Sequence, residues 1–342
     1  MATEVAAPRA TEAVVPGGRP ARWSRRLVVT LLILSGMLAF GYTGAALSIA
    51  TKLVYATPHT AARTPASVGL DYREVTFPAR VDGVTLRGWL IPGVLADGRL
   101  TLDRTIIVVH GHHENRGDSD FGLLDFSAAL ARAGFAVLAY DTRGTGASDP
   151  APDSLGFFER RDVLGVVDFL RSGPMPYPAL GRPRVIGGWG VSLGAATLLL
   201  AAAEEPAIAA VVSDTAFADV LPLLERELPK QGAPAPLVPG VLLAGWALYG
   251  VDYYDVRPVD AVARIAPRPL FFIHGDEDDF IPATNLDALV RAAQAAPGAR
   301  VQSWLVPGVR HHAQTYHTAG QEYVRRVVAF FDSTLGPDVT GA

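Results

Sequence analysis

Four short segments carry side chains that could do chemistry together. Gly190-Val191-Ser192-Leu193-Gly194 is a G-x-S-x-G pattern between a strand-like run, Arg184 to Trp189, and a helix-forming run, Ala195 to Ala203. A serine on a sharp strand-to-helix turn needs small neighbours, because the backbone there is strained and passes close to other segments. The same turn sets the hydroxyl beside a helix N-terminus, where free N–H groups stabilise developing negative charge. Downstream, His274-Gly275-Asp276-Glu277-Asp278-Asp279-Phe280-Ile281-Pro282 places carboxylates directly after a strand, and Val309-Arg310-His311-His312 follows the last strand. Serine, aspartate, histidine is the chain order of a nucleophile-elbow triad. Upstream, Val108-Val109-His110-Gly111-His112-His113 also follows a strand. A turn there offers the N–H of His112 to an oxyanion, with the N–H of Leu193 as the second donor. Taken together these residues spell acyl transfer through a serine. Residue types alone leave the acid open among Asp276, Asp278 and Asp279, with Asp214 as a fallback at the end of the preceding strand. They also leave the base open between His311 and His312.

Elements of the right kind exist to hold these groups. Arg73 to Phe77 and Val84 to Ile91 alternate like an antiparallel pair around an Asp82-Gly83 turn. After them come buried strands at Arg104 to Val109, Phe135 to Tyr140, Arg184 to Trp189, Ala207 to Val212, Pro269 to Ile273 and Val301 to Val306. Helical stretches alternate with them: Leu123 to Ala133, Phe157 to Arg171, Asn285 to Ala296 and Tyr323 to Phe331. Apolar strands in repeated β-α units imply a mostly parallel sheet covered on both faces. The rhythm breaks between about 215 and 258, where helical runs flank a proline-rich stretch, Gln231 to Pro239. An insertion there sits over the strand ends, where open α/β sheets bind ligands. It reads as a lid forming an apolar substrate pocket, or as a patch that dips into a membrane surface.

Other polar groups invite different readings. His110, His112, His113 and His311 together suggest a metal cluster, but three of them belong to the oxyanion turn and no H-E-x-x-H helix accompanies them. The expectation is therefore no metal and no cofactor. His112 and His113 are expected to line the pocket mouth. Arg143-Gly144-Thr145-Gly146 lacks the Gly-Lys-Ser/Thr ending of a phosphate loop, so Arg143 reads as structural. Glu114 and Asp118 read as solvated loop charges, and Asn115 as a residue that fixes the oxyanion turn. With no cysteine, disulfides, thiolate metal sites and cysteine nucleophiles are excluded. A net charge of −4 without basic runs beyond the N-terminal flank gives no nucleic-acid surface.

Residues 1–26 read as a disordered cytoplasmic tail and 27–50 as a transmembrane anchor. The run Leu27 to Ala50 has no charged residue and matches the ~20 residues needed to cross a bilayer. Arg19, Arg22, Arg25 and Arg26 precede it, whereas Lys52 alone follows closely, which places the N-terminus inside and the bulk of the chain outside. A cleaved signal peptide is the competing reading, through the small residues Ser48-Ile49-Ala50, although the run is long for such a segment. Residues 51–68 read as a linker and 69–342 as one α/β domain.

The combination of His110-Gly111, Tyr140-Asp141-Thr142-Arg143-Gly144-Thr145-Gly146-Ala147-Ser148, the turn around Ser192, and His274-Gly275 through Ile281-Pro282 resembles the α/β-hydrolases over about residues 70–335. Within them it resembles the membrane-anchored and exported serine hydrolases related to Bem46 and the ABHD proteins. The resemblance implies an α/β-hydrolase fold with a mostly parallel eight-stranded sheet, helices on both faces and a small lid. It implies Ser192 as nucleophile. The family's His-Gly-x-x-Asp-x-x-hydrophobic-Pro pattern selects Asp278, and its His-Ala-x-Ser/Thr-Tyr pattern selects His312. Carboxylic esters or thioesters are then the expected substrates, and the apolar lid favours acyl chains or lipid-like groups among them. A peptidase, an acyltransferase and a non-catalytic binding protein on the same scaffold are the alternatives.

Overall fold

A computed structural model describes residues 24–55 and 58–336. Most of the expected N-terminal tail, with Trp23, Arg19 and Arg22, lies outside them. The chain divides into two compact units, residues 1–44 and 45–342.

In the first unit the apolar run is helical. Helix α1 spans Arg25–Val54, and its large side chains up to residue 44, among them Leu32, Leu38 and Phe40, are exposed. This is one helix long and apolar enough to cross a membrane. In the second unit the last turns of α1 are packed: Ala46, Ala50 and Val54, spaced four apart, are buried. Four residues of the expected linker are therefore helix, and a short 3-10 turn, Pro65–Val68, fills more of it. The reason is side-chain burial, since Val54 is fully covered and Leu53 packs against the core.

Eight strands form the sheet: β1 Arg73–Pro78, β2 Thr85–Ile91, β3 Arg104–Val109, β4 Ala136–Asp141, β5 Val185–Val191, β6 Ile208–Asp214, β7 Leu270–Gly275 and β8 Val301–Val306. Their spatial order is β1-β2-β4-β3-β5-β6-β7-β8. The β1–β2 and β2–β4 pairs are antiparallel and all the others parallel. Alternation along the strands feeds two cores. Leu86, Leu90, Ile107, Val109, Leu138 and Tyr140 face one side, with α3 (Glu159–Ser172), α4 (Leu193–Glu204) and α7 (Thr284–Gln294). Trp89, Ile91, Ile106, Val108, Val137 and Trp189 face the other, with α2 (Leu123–Arg132) and α8 (Gln321–Leu335). Between β6 and β7, α5 (Val220–Lys230) and α6 (Val238–Tyr249) occupy the stretch expected as a lid.

Every parallel strand points its C-terminal end the same way, so the loops after β3, β5, β7 and β8 gather at one edge. Those four loops carry the four segments with chemical side chains.

Candidate active site

Ser192 sits between β5 and α4 at φ 55°, ψ −122°, a conformation that costs a non-glycine residue of order 1–3 kcal/mol and persists only when its surroundings impose it. The flanking glycines explain how the turn fits. A Cβ on Gly194 would lie 2.3 Å from the carbonyl oxygens of Val109 and His110, and one on Gly190 would lie 2.5 Å from the Gly194 carbonyl. The elbow is thus wedged against the end of β3.

His312 Nε2 lies 2.7 Å from Ser192 Oγ, and His312 Nδ1 lies 2.9 Å from Asp278 Oδ2. With Nδ1–H donating to the carboxylate, Nε2 is left to accept the serine proton. The other carboxylate oxygen of Asp278 accepts the N–H groups of Phe280 (2.8 Å) and Ile281 (2.7 Å). Burial opposes the charge on Asp278, but His312 and these two N–H groups outweigh it and hold the carboxyl below its ordinary value. The Phe280 ring packs edge-on against the His312 imidazole at 5.0 Å, shielding the pair from water.

The other candidates lie apart from this relay. His311 is 84% exposed and pairs with the exposed Asp279 at 3.5 Å. Asp276 accepts the Val309 N–H at 3.2 Å and so fixes the histidine loop. Asp214 is fully buried and accepts hydroxyls from Thr215 (2.7 Å), Thr315 (2.5 Å) and Tyr323 (2.7 Å). Burial raises its pKa even against those three donors.

On the oxyanion side, His110 is buried, with Nδ1 2.7 Å from the Gly111 carbonyl and Nε2 accepting the Thr142 N–H at 3.0 Å. Gly111 packs beside the nucleophile, since a Cβ there would be 3.7 Å from Ser192 Cβ. Leu193 opens α4, so its N–H has no acceptor within the helix. His112 and Leu193 both border the cavity that reaches Ser192. Asn115 accepts the Gly117 N–H at 2.8 Å and donates to the His59 carbonyl, pinning the segment that follows the turn.

Two loop charges differ from expectation. Asp118 is not solvated but 4% exposed, because its carboxylate accepts the N–H groups of Asp120 and Phe121 and folds the turn entering α2. Glu114 is half-buried 3.6 Å from His59, and burial, then the charges of Asp118 and Asp120, push it up to about 7. Arg143 is structural: buried, it forks onto Asp162 and Asp82 and ties the loop after β4 to α3.

The cavity over Ser192 has a volume of about 290 Å³. Its walls are His112, His113 and Leu155 on one side, and Val220, Leu223, Leu224 and Leu228 of α5 on another. A third wall was not anticipated from the sequence: Ile49, Lys52 and Leu53 from the end of α1. Nothing in an unbroken apolar run marks its last turns as pocket lining. Asp153 was missed as well. Its carboxylate is buried 3.4 Å from His112 Nε2, and burial pushes it up to about 6 while pushing His112 down to about 4. His112, His113 and Asp153 place three donor atoms within 4.8 Å of one another. Their two imidazoles are stacked 3.6 Å apart and 27° from parallel.

Comparison with known proteins agrees with this architecture. Residues 51–226 match the family described as X-Pro dipeptidyl-peptidase (S15 family). The chain is 27% identical over 267 residues to the protein YfhR of Escherichia coli (strain K12), covering 77% of this chain and 81% of YfhR. It is 28% identical over 290 residues to Rv2307c of Mycobacterium tuberculosis (strain ATCC 25618 / H37Rv), covering 84% and 87%. Among solved structures it resembles the Pyrococcus furiosus esterase Pf2001, with TM-score 0.64, 24% identity, and coverage of 83% and 100%. It also resembles Est1E of Butyrivibrio proteoclasticus, solved with ferulic acid, with TM-score 0.55, 19% identity, and coverage of 76% and 99%. At these identities the two structures speak for the fold. The α/β-hydrolase kinship is established by these matches, the narrower one to Bem46 and the ABHD proteins is not.

Proposed function

Since the chain belongs to the X-Pro dipeptidyl-peptidase (S15) family, a serine-hydrolase family of the α/β-hydrolase clan, we propose that it cleaves carboxylic ester or thioester bonds through an acyl-enzyme on Ser192. The observation that carries this reading is the continuous relay from Ser192 Oγ through His312 to Asp278 at 2.7 and 2.9 Å. His312 Nε2 takes the Ser192 proton as Oγ attacks the acyl carbon. Asp278 holds the imidazole tautomer and stabilises its cation. The N–H groups of His112 and Leu193 receive the oxyanion, each contributing ~10²–10³ in kcat. His312 then protonates the leaving alcohol or thiol, and a water deprotonated by the same nitrogen releases the acyl group.

Peptidase activity is the second reading, because the matching family is described by one. A dipeptidyl peptidase must pair the free ammonium of its substrate with a carboxylate. The acidic residue bordering the cavity, Glu227, is already held by Arg226 (2.7 Å) and Lys230 (2.8 Å). The walls are otherwise mainly aliphatic, which favours an acyl chain. Assaying purified full-length protein on p-nitrophenyl and thioester acyl substrates beside an Xaa-Pro p-nitroanilide decides between the two. Ester turnover with no release from the anilide is expected; the reverse pattern replaces this reading with the peptidase.

Membrane attachment is part of the same proposal. Arg25 and Arg26 begin α1 and Lys52 lies near its end, an asymmetry that favours a cytoplasmic N-terminus and an extracytoplasmic hydrolase. Cleavage after Ala50 would strip the buried Ala46 and Ala50 from the packed unit, which favours an uncleaved anchor. Alkaline carbonate extraction of membranes tests it: protein of uncleaved mass stays in the pellet, whereas release of a shortened soluble form refutes it.

A further inference from the structure

The end of α1 does more than lead into the hydrolase. Ala46, Ala50 and Val54 are buried, which rigidly seats these turns, and the seat is locked by polar contacts. Thr51 Oγ1 lies 2.8 Å from the Tyr249 hydroxyl at the end of α6, and the Tyr249 ring packs edge-on against Tyr55. The Val54 carbonyl accepts the N–H of Asp153 at 2.8 Å, and Asp153 reaches His112 on the oxyanion turn. The adjoining helix face, Ile49, Lys52 and Leu53 at spacings of three and four, borders the cavity over Ser192, as does α5. The two aliphatic residues are half-buried against the core. Lys52 differs from Glu227, the acidic residue on this cavity: Glu227 is neutralised by Arg226 and Lys230, whereas no counter-ion for Lys52 is found among the described residues.

We infer that the last turns of the apolar helix are a specificity wall of the active site, and that the enzyme acts on single-chain acyl esters bearing an anionic head group. The chain lies between Ile49 and Leu53 on one side and the leucines of α5 on the other, while Lys52 pairs with the anion. This rests on Ser192 being the nucleophile. In such a design the helix that enters the bilayer also shapes the pocket that receives an amphiphile from it. The cavity of about 290 Å³ suits one acyl chain, not two.

The test uses full-length protein in detergent micelles and two covalent probes, ethyl and dodecyl fluorophosphonate. Wild type is expected to react faster with the dodecyl probe. Each buried methylene contributes about fourfold, so Ile49→Trp or Leu53→Trp, by filling room for two or three methylenes, should slow dodecyl labelling about 15- to 60-fold and leave ethyl labelling within about threefold. Ile49→Ala and Leu53→Ala are the companion variants in case the tryptophans do not fold; they enlarge the pocket and should shift preference toward longer chains. Equal response of both probes in all four variants overturns the wall. Monoacyl phosphatidylglycerol should protect wild type from labelling at least tenfold more effectively than monoacyl phosphatidylcholine, and Lys52→Met should remove that difference. Equal protection by the two lipids in wild type overturns the head-group assignment. Absence of labelling by either probe in folded wild type is a separate result, since it removes the Ser192 reading itself.

Discussion

Two buried aspartates flank the site, and exchanging each for asparagine should give opposite phenotypes. Asp278 touches His312, and its amide substitute would present either an oxygen or an NH₂ to Nδ1. The backbone N–H groups of Phe280 and Ile281 both require an acceptor at Oδ1, so the NH₂ is forced toward His312. That stabilises the tautomer with the proton on Nε2, which cannot accept from Ser192. Loss of about 10⁴ in kcat is expected, as in serine-protease triads with this exchange, with Tm changed little. Asp214 receives three hydroxyls, two of them on Oδ2. The least damaging asparagine orientation keeps oxygen there and turns NH₂ toward Thr215, leaving at least one donor unsatisfied at a cost of about 1–3 kcal/mol. For a domain of this size that is a fall of roughly 2–6 °C in Tm, with kcat within a few-fold of wild type. Thermal melts and steady-state ester hydrolysis on both variants measure this. A folded Asp214→Asn protein that has lost activity, beside an active Asp278→Asn protein, would refute the assignment of the acid.

Three further outcomes follow from particular contacts. Gly194→Ala forces a Cβ against two carbonyl oxygens, so it should lower stability by about 3 kcal/mol or more and depress kcat by displacing the elbow; an unchanged Tm and kcat would show that the elbow is loose. Arg143→Met leaves the buried Asp162 without its partner and should cost about 3–5 kcal/mol in urea unfolding, with KM unaffected in whatever protein remains folded. Glu114 has a folded pKa of about 7, above its unfolded value. The folded protein therefore holds a proton that the unfolded chain has lost, and this residue makes stability fall as pH rises from about 4.5 to 7. Glu114→Gln should raise Tm relative to wild type at pH 8 and not at pH 4.5; the same difference at both values would remove that explanation.

The sheet was legible because its strands are short apolar blocks, such as Ile106–Val109, that only two-sided burial can accommodate. The elbow was legible because two glycines bracket a serine where any Cβ would strike backbone. Most strand and helix limits moved by one or two residues, as at α3, which starts at Glu159 because its carboxylate accepts the N–H groups of Ser154 and Gly156, whereas α8 runs four residues past the expected Phe331. Adjacent histidines are indistinguishable by type; only the family resemblance singled out His312, which in the structure lies 2.7 Å from Ser192 Oγ while His311 faces solvent. Asp118 and Asp153 could not be recognised as buried, because what covers a loop carboxylate comes from distant segments. The pocket role of Ile49 and Leu53 was hidden for a related reason. The apolarity that fits a helix to a bilayer is the same apolarity that lines an acyl site.

The most direct test of the Ser192 assignment is covalent: incubate the full-length protein with a fluorophosphonate and locate the adduct by peptide mass spectrometry. A single adduct on Ser192, abolished in Ser192→Ala and slowed at least a thousandfold in His312→Ala, is the expected result. An unmodified Ser192 in folded wild type, or an adduct that persists when Ser192 is removed, would contradict it.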